Sequence, residues 1–123
     1  MIKNLLVVGL GGFAGSICRY LFYIWLEKER NMPLATFTVN MLGSFVLGIF
    51  IGYFLIRGAE TNIARLFFAV GFCGSFTTFS TFALENWNMF NNQEYLQLAG
   101  YTVASFAIGI LMIFGGIVIG KAI

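Results

Sequence analysis

The chain has 123 residues, of which 59% are hydrophobic and only 10% are charged. A soluble domain carries about 25% charged residues, so we expect an integral membrane protein. The formal charge of +2 is too small to indicate a nucleic-acid partner. Two cysteines and no histidine are too few ligands for a disulfide framework or a zinc site. With no histidine and no activated nucleophile, we expect that the chain is not an enzyme.

Four apolar stretches are long enough to cross a membrane, which takes about 20 helical residues. They cover residues 5–26, 33–56, 63–84 and 95–120, with short polar connectors between them. We therefore predict an all-α membrane protein with four transmembrane helices. We expect residues 1–123 to form a single transmembrane domain, with a multi-pass location in the cell (inner) membrane.

Cationic residues are divided almost evenly between the two ends of these spans. One end receives Lys3, Arg57, Arg65 and Lys121, and the other receives Lys28 and Arg30, with Arg19 if its side chain reaches that way. Orientation follows the imbalance of lysine and arginine, so the chain is predicted to insert in both orientations. An antiparallel homodimer is then the natural closed assembly, and a parallel assembly is the alternative.

Two polar side chains lie inside the first two spans. Arg19 either snorkels to the interface or gives a water-filled vestibule a positive charge that attracts anions. Asn40, near the middle of the second span, needs hydrogen-bond partners at that depth. It either holds two helices together or offers its NH₂ group to an anion.

The third span contains the most unusual segment of the chain, residues 71–82, with the sequence GFCGSFTTFSTF. Gly71 and Gly74 weaken a helix, and a broken helix inside a membrane is tolerated where its freed backbone groups bind something. Phe79 and Phe82 share one helix face, and the positive edges of their rings can contact a small anion. Hydroxyl donors lie in the same segment, namely Thr77, Thr78, Ser80 and Thr81. The segment therefore predicts an ion pathway at a broken third helix.

The fourth span adds a hydroxyl at Ser105, which either bonds back to its own helix or extends the hydroxyl track. Glu85, at the end of the third span, is interpreted as a solvated loop acid whose role stays open.

Glycines four residues apart predict close helix packing. These pairs are Gly11 with Gly15, Gly48 with Gly52, and Gly116 with Gly120.

These motifs resemble the Fluc family of fluoride channels over the whole chain, in length, span number and motif order. Residues 11–20, GGFAGSICRY, are similar to the family's GGxxGxxxRY/W, and residues 40–44, NMLGS, to its NxxGS. Residues 71–82 are very similar to its GfcGgxTTFSTF. Ala35 and Ser75 stand where the family usually has glycine, which puts local loop and pore geometry in question.

The resemblance implies an antiparallel, dual-topology homodimer with two pores for passive, highly selective fluoride export that relieves fluoride toxicity. The fluoride path that it implies consists of Phe79, Phe82, Asn40, Ser80, Thr81 and Ser105. Arg19 would lie in the vestibule. The resemblance also implies a structural Na⁺ at the dimer centre, held by the backbone carbonyls of Gly74 and Thr77 from each subunit.

A small multidrug or guanidinium exporter is the second hypothesis, since such proteins are similar in length, have four spans and can insert in both orientations. They need an acid in the first span for cation and proton exchange. This chain has Arg19 there and no acid before Glu27. A non-transporting assembly protein would explain the glycine pairs but not the Thr-Thr-Phe-Ser-Thr-Phe run.

Overall fold

The computed structural model of the protein describes residues 1–26, 33–58 and 63–123, and within these ranges the regular structure is helical. The elements are α1 (Ile2–Leu26), α2 (Leu34–Arg57), α3 (Ile63–Arg65), a π-helical segment (Leu66–Cys73), α4 (Gly74–Phe76), α5 (Phe79–Asn91) and α6 (Tyr95–Ala122). Four of the described helical stretches are long and apolar enough to cross a membrane: α1, α2, the third span Ile63–Asn91, and α6. The predicted all-α, multi-pass membrane class is therefore confirmed.

The helical stretches begin and end near the predicted limits, except that the third span continues to Asn91 instead of ending near residue 84. The reason is tertiary: α5 buries Phe82 and Met89, seven residues apart on one face. Because that face is buried, the helix continues through an asparagine-rich segment that sequence patterns assign to a loop. Lys28, Arg30 and the connectors 27–32 and 59–62 lie outside the described residues.

Glycines let α1 lie directly against the third span. A Cβ on Gly11 would collide with the carbonyl oxygen of Phe67, and a Cβ on Gly15 would collide with that of Phe72. The contacting residue numbers rise together, so the two spans run in the same direction. Without these glycines the backbones could not approach, because small residues set the distance between helices in lipid.

A second pair of parallel spans is formed by α2 and α6. A Cβ on Gly48 would collide with the carbonyl oxygen of Ile113, and a Cβ on Gly116 would collide with that of Phe45. The tight packing predicted from the glycine pairs is thus confirmed in both pairs of spans.

The predicted break in the third span is confirmed, and it lies at Thr77 and Thr78. Both residues are extended, with φ/ψ of −79°/158° and −147°/123°. The glycines that suggested a weakened helix stay helical. Gly71 lets α1 approach, since a Cβ there would meet the backbone of Val8 and Gly11, whereas Gly74 has open space around it. The break therefore depends on what holds Thr77 and Thr78 from neighbouring helices.

Candidate ion pathway at the helix break

Asn40 of α2 holds the break from one side. Its Nδ2 donates to the Thr78 carbonyl at 3.0 Å, and the Thr78 N–H donates to its Oδ1 at 2.8 Å. Both backbone groups of Thr78 are thus paired although the helix is interrupted, as backbone groups at membrane depth require. Of the two roles predicted for Asn40, the structure shows the helix-joining one.

Arg19 of α1 holds the break from the other side, because its Nη1 donates to the Thr77 carbonyl at 3.2 Å. In a continuous helix the Thr81 N–H would serve that carbonyl. Here the Thr81 N–H donates to Thr78 Oγ1 at 3.3 Å, which caps the start of α5. The guanidinium replaces the missing helical donor. Arg19 is half-buried and points to the break, so a purely interfacial role is excluded.

A cavity of about 260 Å³ opens beside the break. Its polar wall combines an amide with hydroxyls, and its apolar wall is mostly aromatic and aliphatic. The lining residues are Asn40, Met41, Ser44, Leu47, Thr77, Thr78, Phe79, Phe82, Ser105, Phe106 and Gly109. Apolar walls with a few convergent polar groups are typical of binding sites for small ligands.

Ser105 contributes an unusual group to this cavity. Among the described residues, its hydroxyl oxygen is buried without a hydrogen-bond partner. It therefore does not bond back to its own helix, which was one of its two predicted roles. A buried hydroxyl left unpaired costs about 1–3 kcal/mol, so a ligand that accepts its hydrogen bond would recover free energy. Ser105 fits the lining of an anion path.

The predicted path residues are only partly brought together. Asn40, Phe79, Phe82 and Ser105 line the cavity. The other two side chains, Ser80 and Thr81, do not line it. Their hydroxyls lie 3.4 Å and 3.2 Å from Thr78 Oγ1, so they contact the break itself. Ser44 was not among the predicted path residues, although its position one helical turn after Asn40 gives a usable signal.

The two phenylalanines differ in their surroundings. Phe82 is 8% exposed and packs at 5.0 Å from the ring of Tyr101 and edge-on at 6.1 Å from Phe106. Phe79 is 72% exposed, and its ring lies 5.9 Å from that of Phe82. One ring is therefore fixed within the chain, whereas the other presents most of its surface outward.

The chain matches, over residues 6–117, the family described as "CrcB-like protein, Camphor Resistance (CrcB)". It belongs to the CrcB family. It is 40% identical over 122 residues to the "Fluoride-specific ion channel FluC" of Chlorobaculum tepidum, covering 98% of this chain and 97% of that one. It is 39% identical over 112 residues to the protein of the same name from Ignicoccus hospitalis, covering 91% and 90%. It is also 41% identical over 117 residues to "Fluoride-specific ion channel FluC 2" of Bacillus cereus, covering 94% and 95%.

A hydrogen-bonded cluster in this CrcB-family chain joins all four spans and corrects the interpretation of Glu85. Glu85 is half-buried in α5 and is not a loop acid. Its Oε1 accepts from Thr36 Oγ1, which also bonds the hydroxyl of Tyr23, and its Oε2 accepts from the Tyr101 hydroxyl at 2.7 Å. Sequence reasoning missed the cluster because its members come from four different helices and no local pattern connects them.

The two carbonyls implied as sodium ligands fit that role in this CrcB-family chain. Thr78 N–H would serve the Gly74 carbonyl in a continuous helix, but it bonds Asn40 instead. The Thr77 carbonyl accepts from Arg19 and keeps a second lone pair. Carbonyls at helix interruptions coordinate Na⁺ in membrane transporters. One chain supplies two such oxygens at the break.

The two departures from the Fluc pattern lie away from the cavity. Ala35 is buried in α2 at 3% exposure, and neither Ala35 nor Ser75 lines the cavity. Ser75 Oγ faces α1, where a Cβ on Gly12 would lie 3.1 Å from it. Both substitutions therefore act on helix packing.

Proposed function

We propose that this chain is a passive, fluoride-selective channel that lets fluoride leave the cytoplasm and so relieves fluoride toxicity. The observation that carries the proposal is the cavity at the break in the third span. There the Asn40 amide and the unpartnered Ser105 hydroxyl share one cavity with the rings of Phe79 and Phe82. The relatives named as fluoride-specific ion channels support the same ion.

The chemistry of this cavity suits a small and strongly hydrated anion. Amide and hydroxyl donors replace water, and ring edges add a weak positive potential. Among the described residues, no lysine or arginine lines the cavity, and the nearby Arg19 guanidinium is bonded to the Thr77 carbonyl. A potential that is negative inside drives the anion outward by about 2.3 kcal/mol per 100 mV. Transport of this kind needs no chemical step, which agrees with the expectation that the chain is not an enzyme.

We further propose that the channel is an antiparallel, dual-topology homodimer in the lipid bilayer, with two pores and a central Na⁺. The 72% exposure of Phe79 supports a second copy, since a pore-lining ring in a membrane needs a wall on its outer side. The exposed Gly74, with a carbonyl that has lost its helical donor, supports it as well. The nearly equal cation count at the two ends of the spans favours insertion in both orientations.

A guanidinium exporter does not fit the first span of this chain. It requires an intramembrane acid in the first span, and the described helix α1 contains Arg19 but no acid. The match to the CrcB family points to a different class of transporter.

The test is anion efflux from liposomes that contain the purified protein. Vesicles are loaded with fluoride or chloride, a potassium ionophore is added, and release is followed with ion-selective electrodes. Fast release of fluoride without chloride supports the channel, with protein-free vesicles as the background. If neither ion is released although the protein in the vesicles is folded, the proposal is wrong.

The assembly and the sodium ion need separate experiments. Cross-linking in membranes should trap a dimer, and the accessibility of single cysteines at one terminus should show both orientations in equal amounts. Purification with Na⁺ replaced by a large organic cation should lower fluoride flux, and readdition of Na⁺ should restore it. Flux that does not depend on Na⁺ would remove the ion from the proposal while leaving the fluoride pathway intact.

A further inference from the structure

We propose that Gly43 is a positioning residue of the pore: the space left by its missing side chain is filled by the methyl group of Thr77, and this contact sets the helix break against α2. The part of this proposal that is tested by fluoride flux rests on the proposed function. Gly43 lies in the middle of α2 and is buried, where a glycine is unfavourable compared with alanine. A close approach explains why a glycine stands there.

The contact is tight on two sides. A Cβ added to Gly43 would overlap with Cγ2 of Thr77 and would lie 3.2 Å from Cδ1 of Phe76. Phe76 is only 5% exposed, so its ring has little room to move away. An alanine at this position therefore needs a displacement of the segment that ends α4 and begins the break.

Turning the Thr77 side chain away from Gly43 costs a hydrogen bond. Threonine is branched at Cβ and has few χ1 states, and the Thr77 hydroxyl donates to the Cys73 carbonyl at 2.9 Å. Rotation that removes the methyl from Gly43 would also take the hydroxyl away from that carbonyl. A shift of the Thr77 backbone away from α2 makes room without breaking that hydrogen bond.

Such a shift would reach the pore directly. Asn40 lies one turn before Gly43 on the same helix, and its two hydrogen bonds to Thr78 hold α2 to the break. Moving α2 and the break apart would stretch both hydrogen bonds. It would also move Phe79, which directly follows Thr78 in the chain. Asn40, Thr77, Thr78 and Phe79 all line the cavity, so its shape depends on the absence of a side chain at Gly43.

The experiment is a double-mutant cycle of Gly43→Ala and Thr77→Ser, with fluoride flux measured per folded dimer in liposomes. Thr77→Ser removes the methyl and keeps the hydroxyl. We expect Gly43→Ala to lower flux by about tenfold or more in the wild-type background, because overpacking displaces backbone. In the Thr77→Ser background we expect the same change to cost less than about twofold, since the obstacle is gone.

Gly109→Ala is the matched control. It adds the same methyl at a residue that lines the cavity, where that methyl would meet only Cε of Met41, at an ordinary 3.5 Å. We expect a smaller loss of flux that does not depend on Thr77→Ser. If Gly109→Ala and Gly43→Ala lower flux equally, and Thr77→Ser relieves neither, narrowing of the cavity explains the data and the proposal is overturned.

Unfolding temperatures of the same variants distinguish a failure of this proposal from a failure of the proposed function. Gly43→Ala should lower the unfolding temperature, and Thr77→Ser should relieve most of that decrease. If the wild type passes no fluoride, the proposed function fails, whereas this thermal cycle still decides whether Gly43 and Thr77 are coupled. A lower unfolding temperature with unchanged flux per folded dimer would make Gly43 a packing residue only and would refute its role in the pore.

Discussion

Asn40→Asp replaces one nitrogen by oxygen in the side chain that bridges the helix break, and we expect it to remove most of the fluoride flux. The Asn40 Nδ2 atom lies 3.0 Å from the Thr78 carbonyl oxygen. In the variant an oxygen that cannot donate would face that carbonyl. The other hydrogen bond, from Thr78 N–H to Oδ1 at 2.8 Å, would be retained.

Two free-energy terms act in this variant. Loss of the donor leaves a partly buried carbonyl without its partner, which costs about 1–3 kcal/mol of stability. The new negative charge also repels fluoride: at ~4 Å and an effective dielectric constant of ~20, the repulsion is about 4 kcal/mol. That corresponds to roughly a thousandfold lower occupancy by the anion, so the charge has the larger effect on flux.

The assay is fluoride efflux per reconstituted dimer, with Asn40→Ala as the matched control. Asn40→Ala loses both hydrogen bonds to Thr78 but adds no charge. We therefore expect flux to decrease in the order wild type, Asn40→Ala, Asn40→Asp. Folding is checked for each variant by gel filtration and by unfolding temperature. Flux through Asn40→Asp equal to or higher than that through Asn40→Ala would show that fluoride does not pass close to this side chain, and Asn40 would keep only its helix-joining role.

Phe79→Ile and Phe82→Ile should both slow fluoride release, because an aliphatic side chain has no positive ring edge; wild-type flux in both would refute ring-edge binding. Phe82 is 8% exposed and Phe79 is 72% exposed, so only the Phe82 variant should also lower the stability of the subunit. Glu85→Gln should lower the free energy of unfolding by about 1–3 kcal/mol, since one of its two hydroxyl partners loses an acceptor; chemical denaturation measures this, and an unchanged value would contradict the structural role. Gly74→Ala should leave the subunit intact, because φ is −61° and its Cβ would meet nothing within 4 Å. It should nevertheless weaken the dimer and the flux, whereas an unaffected dimer would place Gly74 outside the interface. Gly116→Ala should reduce the yield of folded protein by separating two helices.

The last of these changes has a control at the adjacent residue. A Cβ on Gly116 would run into the Phe45 carbonyl oxygen, whereas a Cβ on Gly115 would meet nothing within 4 Å. Gly115→Ala introduces the same methyl one position earlier on α6, so its yield should exceed that of Gly116→Ala. Equal yields would mean that the contact between α2 and α6 does not limit folding.

Much of the site could be predicted from local patterns. Phe79 and Phe82 share a face by their spacing, and the polar residues at Asn40 and Ser105 stand out in apolar spans. The structure places these four side chains around one cavity. Ser80 and Thr81 lie behind the break, because Thr78 occupies the capping position and draws their hydroxyls toward itself. Which hydroxyl faces the cavity depends on the exact turn at which the helix is interrupted.

Contacts between distant residues could not be predicted. Asn40 and Thr78 are 38 positions apart, and Arg19 and Thr77 are 58 apart. These bonds put the break at Thr77 and Thr78, whereas helix propensity alone pointed to the nearby glycines. The glycines are needed where helices touch, as at Gly71 against α1.

The sequence by itself determined that this is a four-span membrane protein, because the transfer of each span into lipid depends on its own length and composition. It also predicted an ion pathway in the third span, since hydroxyls and glycines at that depth have no use in lipid. Only the tertiary structure decided where the helix of the third span breaks and how Glu85 is bound. Both depend on hydrogen bonds from other helices, and the directions of those bonds exist only once the spans are packed.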